Sequence, residues 1–228
     1  MHRQATVIAV AAAVALACAG LARPAAAQQE VSKVNGSITA EAGTPLGDLS
    51  TVNGSIRIDD RAKVGSATTV NGSIRAGDEI TAGELETVNG SVRTGERAVV
   101  GGDASTVNGS VFIGSGSRVA GDVRTVNGAI GVVRTDVGGD VRTVSGDVTV
   151  GVGSHVRGGI RVEKAAVNWM PLNAGRRAPR IVIGPGAIVD GPLVFEREVR
   201  LYVHQSARIG AVTGATPIAF STPTAPRD

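Results

Sequence analysis

The chain has 228 residues, of which 32 are glycine and only five are aromatic: Phe112, Trp169, Phe195, Tyr202 and Phe220. The hydrophobic fraction of 42% is too high for a disordered chain, and glycine is far below the roughly one third of a collagen. A compact domain normally fills part of its core with large rings, so this composition favours a repetitive, β-rich protein with a thin core. The formal net charge of +3 does not indicate a nucleic-acid partner.

Residues 1–27 have the three-part pattern of a bacterial secretory signal. Arg3 provides a short positive region, residues 6–21 are apolar, and residues 25–27 form a small-residue cleavage site. We predict cleavage after Ala27 and export to the periplasm or the cell surface. We predict no transmembrane span in the mature protein, because the apolar stretch is too short and too rich in alanine.

Cys18 is the only cysteine, and it leaves a second interpretation of the leader open. Its context, Leu16-Ala17-Cys18-Ala19, loosely resembles a lipoprotein signal, in which the cysteine becomes the lipidated first residue. The site after Ala27 is the better small-residue match, so we favour cleavage there. In either case the mature protein has no disulfide and must be stable by other means.

The main signal beyond the leader is an internal repeat. The motif Val-Asn-Gly-Ser, usually preceded by threonine, recurs every 18 or 19 residues, and Ser145 takes the place of asparagine in the last copy. The repeated asparagines are Asn35, Asn53, Asn71, Asn89, Asn108 and Asn127. Apolar residues alternate within a motif, as at Val52, Gly54 and Ile56, which indicates a strand with one buried face.

A period of 18 residues with two or three short strands predicts an all-β fold, a single-stranded parallel β-helix or β-solenoid. Residues 28–213 would form about ten coils stacked at the strand spacing of ~4.8 Å. We predict an irregular loop near 163–178 and a flexible tail at 214–228. Stacking puts like residues in ladders, so the asparagines should bond amide to amide, with side chains facing either inward or outward.

The repeated Thr-Val-Asn-Gly-Ser pattern resembles that of the exported β-strand-repeat, adhesin-like proteins of bacteria, and the short coils are similar to those of the polymer-forming bactofilins. The resemblance covers most of residues 31–213. It implies a right-handed β-helix without enzymatic activity. Because bactofilins are mostly cytoplasmic, the export signal favours the adhesin-like family. The expected function is that of a structural or adhesive solenoid of the cell envelope, with end-to-end self-association at its open strand edges.

The left-handed β-helix of hexapeptide acyltransferases also has 18 residues per coil and is the rival fold. Six-residue matches such as 183–188 occur, but they do not repeat three times per coil. Such an enzyme needs a histidine base, and the mature chain offers only His155 and His204, which we interpret as exposed turn or strand residues. No nucleophile triad, Cys/His cluster or phosphate loop stands out, so we predict a non-enzyme without catalytic residues, metal or cofactor.

A row of arginines is the candidate binding surface. Spacings of 18 to 20 residues predict one position in five consecutive coils for Arg124, Arg142, Arg161, Arg180 and Arg200. Like charges in a row repel unless neutralised, so this is either a basic stripe for an acidic envelope polysaccharide or lipid headgroup, or a set of locally paired residues. Acidic residues two positions earlier favour pairing, except at Arg161 and Arg180. A shorter row, Arg57, Arg75 and Arg93, is interpreted in the same way.

Overall fold

The structure is a computed structural model that describes residues 28–43, 45–164 and 177–226. Their strands form three parallel sheets, which we name faces A, B and C. Face A contains β1 (Gln29–Asn35), β3 (Leu46–Asn53), β5 (Ala67–Asn71), β8 (Leu85–Asn89), β11 (Ala104–Asn108), β14 (Val123–Asn127), β17 (Val141–Thr143), β20 (Ile160–Val162), β23 (Leu193–Phe195) and β26 (Val212–Thr213). Face B contains β2 (Ile38–Ala40), β4 (Ile56–Ile58), β6 (Ile74–Ala76), β9 (Val92–Thr94), β12 (Val111–Ile113), β15 (Ile130–Val132), β18 (Val148–Val150), β21 (Arg180–Ile183), β24 (Arg200–His204) and β27 (Pro217–Phe220). Face C contains β7 (Thr81–Ala82), β10 (Val99–Val100), β13 (Arg118–Val119), β16 (Asp136–Val137), β19 (His155–Val156), β22 (Ile188–Val189) and β25 (Arg208–Ile209).

The strand order confirms the predicted parallel β-solenoid of about ten coils with about 18 residues each. Every strand pairs with its counterpart in the next coil, so that Asn53 lies beside Asn71 and Asn89 beside Asn108. Parallel strands need a crossover, and here the rest of the coil provides it. The same motif position therefore recurs along the rod axis.

The core is a narrow bore filled by one or two small apolar side chains from each strand. Alternate residues face inward, as at Ile56 and Ile58 of β4, which flank the exposed Arg57. The fully buried apolar residues are isoleucine, leucine, valine and alanine. Burying a Val or Ile side chain contributes about 1.5–3 kcal/mol, and every coil repeats that contribution.

One detail of the predicted alternation is wrong. On face A the inward residues of β5 are Ala67 and Thr69, while Val70 is half-buried on the outward side. The motif threonine, not the motif valine, faces the bore, because the strand ends at the Asn-Gly corner and the alternation starts again on face B. The same holds for Thr51, Thr87, Thr106, Thr125 and Thr143, all of which are at most 4% exposed.

The position predicted for the irregular loop, 163–178, falls between β20 on face A and β21 on face B, and its residues 165–176 lie outside the described part of the chain. Across this point Ile160 pairs with Leu193 and Val148 pairs with Ile181, in each case 33 positions further on. The coil that contains β20 and β21 is therefore longer than the others, and the stacking continues beyond it.

The segment 214–228, predicted to be a tail outside the solenoid, contributes a strand to it. Strand β27 pairs with β24 in parallel, and the Phe220 ring lies edge-on to His204 with centroids 5.1 Å apart. Ala225 packs against Val182, Tyr202 and Phe220.

The predicted signal, residues 1–27 with Cys18, lies outside the described residues; within the described ranges no helix is long and apolar enough to span a bilayer.

Candidate functional site

The motif asparagines form one continuous hydrogen-bonded ladder on the outside of the rod. Each side-chain Nδ2 donates to the Oδ1 of the asparagine one coil earlier, at 2.9 to 3.0 Å for all five pairs from Asn53–Asn35 to Asn127–Asn108. The amides all point the same way, with Nδ2 toward the N-terminal coil. The side chains are exposed, which settles the choice that the repeat pattern left open.

The other residues of the motif also bond coil to coil. The Thr69 hydroxyl donates to the Gly54 carbonyl at 2.8 Å, and four other motif threonines repeat this contact. The Ser55 hydroxyl accepts the backbone N–H of Ser73 at 3.3 Å. A Cβ added at Gly72 would overlap the Gly54 carbonyl oxygen, so glycine is required there by the close approach of adjacent coils. The Thr-Val-Asn-Gly-Ser motif therefore stabilises the stacking of each corner on the corresponding corner of the previous coil.

The predicted five-arginine row does not form one surface. Arg124, Arg142 and Arg161 lie in register on face A, but Arg161 is followed there by Val194. Arg180 and Arg200 pair with each other on face B. The spacing of 19 between Arg161 and Arg180 mimics a coil only because this coil is extended; the residue one coil before Arg180 is Asp147, whose Oδ1 accepts the Arg180 backbone N–H at 2.7 Å.

On face A the arginines alternate with a ladder of aspartates, of which the sequence analysis predicted the local pairing of Asp122 and Asp140 but not the bonds from coil to coil. The Oδ1 atoms of Asp103, Asp122 and Asp140 each accept a backbone N–H from the next coil at 2.8 Å. Their other oxygens pair with arginines: Arg124 contacts Asp103, and Arg142 lies 2.8 Å from Asp140 and 3.4 Å from Asp122. The recurring Gly-Asp pair at 102–103, 121–122 and 139–140 is the sequence signal for this ladder.

The environment of Asp140 stabilises its charged form. Burial alone would raise the pKa of this carboxyl, but the Gly159 N–H and the Arg142 guanidinium together hold the pKa below its ordinary value. For Arg142, burial opposes the charge, and its bond to Asp140 and its attraction to Asp122 raise the pKa. Local pairing therefore accounts for Arg124 and Arg142, whereas Arg161 has no ion pair among the described residues.

The shorter arginine row lies on face B, where Arg57, Arg75 and Arg93 are in register. Arg57 pairs with Asp59 at 2.8 Å, and the Arg93 guanidinium lies 4.9 Å from the Phe112 ring centroid. This row has local partners at both ends.

The two histidines lie on different faces. His155 on face C contacts Asp190, with Nε2 and Oδ2 2.7 Å apart. His204 on face B is 8% exposed, and its Nδ1 lies 2.7 Å from the Ser206 hydroxyl. The buried, ring-packed position of His204 differs from the exposed one that we predicted, because the last strand of face B covers it.

A concave pocket of about 510 Å³ lies where the asparagine ladder ends. Its lining is Asn108, Asn127, Gly128, Ser145, Arg177 and Arg197. The Arg197 Nη1 donates to the Val144 carbonyl at 3.0 Å, which fixes one guanidinium at the pocket wall. Two cations beside amide and hydroxyl groups suit a carboxylated or phosphorylated ligand. The motif pattern could not reveal this pocket, because the pocket is lined by residues of several coils on both sides of the extended coil.

Comparisons of the chain with protein-family models, with curated proteins and with solved structures find no match.

Proposed function

We propose that the protein is an exported, non-catalytic structural solenoid of the bacterial cell envelope, adhesin-like in presenting long flat faces. The observation that supports this most directly is that the threonine, asparagine and serine of the repeat all make coil-to-coil hydrogen bonds. The repeated polar residues thereby build a rod with extended faces.

Export is tested by expressing the full chain in a bacterium, fractionating the cells and sequencing the mature N-terminus. We expect an envelope or periplasmic protein that begins at Gln28, and the substitution Ala27→Asp should block processing. A lipidated N-terminus at Cys18 would support export and correct the cleavage site. Full-length protein confined to the cytoplasm would overturn the proposal.

End-to-end self-association is supported by the first coil. Among the described residues β1 and β2 each pair on one side only, and Val34 of β1 is 68% exposed. An unpaired strand edge is a template for another chain, and a head-to-tail contact of this kind gives open filaments.

Sedimentation and electron microscopy at rising concentration test the association. We expect filaments, and we expect Val34→Lys to lower the sedimented fraction by adding a charge to the edge strand. Val126→Lys is the matched control, since Val126 holds the same motif position inside the rod and is 36% exposed. Monomers at every concentration would refute self-association.

A second candidate function is binding of an acidic envelope polysaccharide. The observation that favours it is the pocket lined by Arg177 and Arg197, which replaces the five-arginine stripe as the candidate surface. Arg197→Glu should reduce retention on a carboxylated polysaccharide, and Arg75→Glu, distant on face B, should not. Equal retention of both variants and the parent would show that the pocket does not bind the polysaccharide.

The non-catalytic part of the proposal is tested against the acyltransferase alternative. His204 is engaged by Phe220 and Ser206, so we expect the parent protein to show no turnover of acyl donors. Turnover that is abolished by His204→Ala would overturn the proposal that the protein is non-catalytic.

A further inference from the structure

We infer that Asn127 is a site of spontaneous deamidation, and that the ladder protects the other five asparagines from the same reaction. In this reaction the backbone nitrogen of the following glycine attacks the side-chain Cγ. The Cγ–Nδ2 bond breaks, and ammonia leaves with the proton from the glycine nitrogen. Water then opens the resulting succinimide ring at either carbonyl and gives aspartate or isoaspartate, so water is the only co-reactant.

All six ladder asparagines have the same local chemistry. Each is followed by glycine, which offers no side chain to hinder the attack, and each is exposed to water. From their sequence context alone the six would react at similar rates. Any difference in rate must therefore come from the fold.

Within the ladder, three hydrogen bonds oppose the reaction. At Asn71, Nδ2 donates to Asn53 at 2.9 Å and Oδ1 accepts from Asn89 at 3.0 Å. The attacking nitrogen, that of Gly72, donates to the Asn89 carbonyl at 3.1 Å. Because Cγ must rotate toward that nitrogen and the nitrogen must lose its proton, all three bonds have to break.

Asn127 retains only one of the three. Its Nδ2 donates to Asn108 at 3.0 Å, but in the described part of the chain its Oδ1 has no donor and the Gly128 N–H has no acceptor. The cause lies in the next coil, where serine replaces asparagine. There the Ser145 N–H bonds back to the Val126 carbonyl at 2.9 Å.

Asn35, at the other end of the ladder, is an intermediate case. Its Oδ1 accepts from Asn53 at 3.0 Å, and the Gly36 N–H donates to the Asn53 carbonyl at 2.9 Å. Two of the three bonds remain. The predicted order of reactivity is therefore Asn127, then Asn35, then the four inner asparagines.

The product at position 127 would also change the chemistry of the neighbouring pocket. As at the inner positions, one oxygen of a new carboxylate at position 127 would face the Oδ1 of the preceding asparagine, here Asn108. The carboxylate would line the pocket that contains Arg177 and Arg197. Deamidation would thus replace one neutral amide in the lining of this pocket by a carboxylate.

The test is site-resolved mass spectrometry of the purified full protein, aged at mildly alkaline pH in isotope-labelled water. We expect Asn127 to react on the order of tenfold faster than Asn71, since the bonds missing at Asn127 would each slow the reaction a fewfold. Asn35 should fall between them. Equal rates at the six positions, or a faster inner asparagine, would overturn the inference.

Two comparisons separate the effect of the fold on the deamidation rates from the effect of the local sequence. In denaturant the six rates should become similar; the native order persisting there would show that the ladder does not protect. The substitution Ser145→Asn supplies a further amide, so Asn127 should slow. The substitution Asn127→Ser should raise the rate at Asn108 only in part, because the Gly109 N–H still donates to the backbone carbonyl of residue 127.

Discussion

The motif threonine holds each Asn-Gly corner against the coil before it. Thr87 is 1% exposed, and its hydroxyl donates to the Gly72 carbonyl at 2.7 Å. That carbonyl lies at a corner between faces A and B, outside the strand-to-strand backbone hydrogen bonds. The threonine hydroxyl therefore supplies the donor that this carbonyl needs. A β-branched residue with a donor suits this position, since its methyl group can pack in the bore.

Thr87→Val tests this bond. The two side chains have nearly the same shape, so the change removes the hydrogen bond while the packing is kept. We expect the free energy of unfolding to fall by about 1–2 kcal/mol because a partly buried carbonyl loses its donor. The control is Thr68→Val, on the outward side of β5, which should leave stability nearly unchanged in denaturant titrations. A neutral Thr87→Val would contradict the role of the hydroxyl.

The motif glycine sets how closely adjacent coils can approach. We expect Gly72→Ala to destabilise the protein by about 1–3 kcal/mol, because its Cβ would overlap the Gly54 carbonyl and the corner would have to shift. Gly101→Ala is the matched control, since a Cβ there would lie 3.6 Å from the nearest atom, the Ala82 carbonyl oxygen. Thermal melts of the two variants should therefore differ, and equal melting temperatures would argue against close packing at the corner.

At the scale of an element, face A carries two ladders of opposite charge. Asp103, Asp122 and Asp140 directly precede strands β11, β14 and β17, and Arg124 and Arg142 lie within β14 and β17. Each aspartate both bonds a backbone N–H and pairs with a cation, so successive strands are linked by charge as well as by the backbone ladder. This explains why like residues can stack one coil apart without net repulsion.

Asp140→Asn should weaken this element in a pH-dependent way. The folded-state pKa of Asp140 is lowered, so its stabilisation is present above the unfolded pKa of about 4 and disappears as the pH falls through the lower folded value. At neutral pH we expect the variant to be less stable than the parent by about 1 kcal/mol. The difference should vanish in strong acid. Glu41→Gln, in the exposed turn between β2 and β3, is the control in the same urea titrations, and a pH-independent difference would contradict the pairing.

For the whole molecule, the strands of the described residues pair only with their counterparts in neighbouring coils, and a few side chains, such as Arg197 with the Val144 carbonyl, reach one coil further. Such a rod is close to one-dimensional, so its stability is a sum of coil and interface contributions, and a local change affects only nearby coils. The C-terminal coil is where this is easiest to observe. There Phe220, 7% exposed, packs on His204 and Tyr202 and covers the outward side of face B.

Phe220→Ala should therefore open the C-terminal coils alone. We expect faster backbone hydrogen exchange in β24 and β27, because the change removes a buried ring, and no change in β8 and β11. Ile218→Ala is the control, since Ile218 is 47% exposed on the same strand. Uniformly faster exchange along the rod would show instead that the coils unfold as one unit.

The period of the repeat was sufficient to predict the parallel solenoid, its coil length and the stacking of asparagine on asparagine, because each is a direct consequence of regular spacing along the chain. Spacing could not show which side of a strand faces the bore once a corner intervenes, so Thr69 rather than Val70 proved to be buried. Nor could it show that Arg161 and Arg180 lie on different faces, since a spacing of 19 residues across an extended coil looks like a normal coil. The pocket at Arg177 and Arg197 was decided by the tertiary structure alone, and although Ser145 marks the end of the asparagine ladder in the sequence, only the structure shows that the Gly128 N–H also loses its acceptor there. They arise where the repeat stops, and there the position of a residue depends on packing between coils rather than on its place in a period.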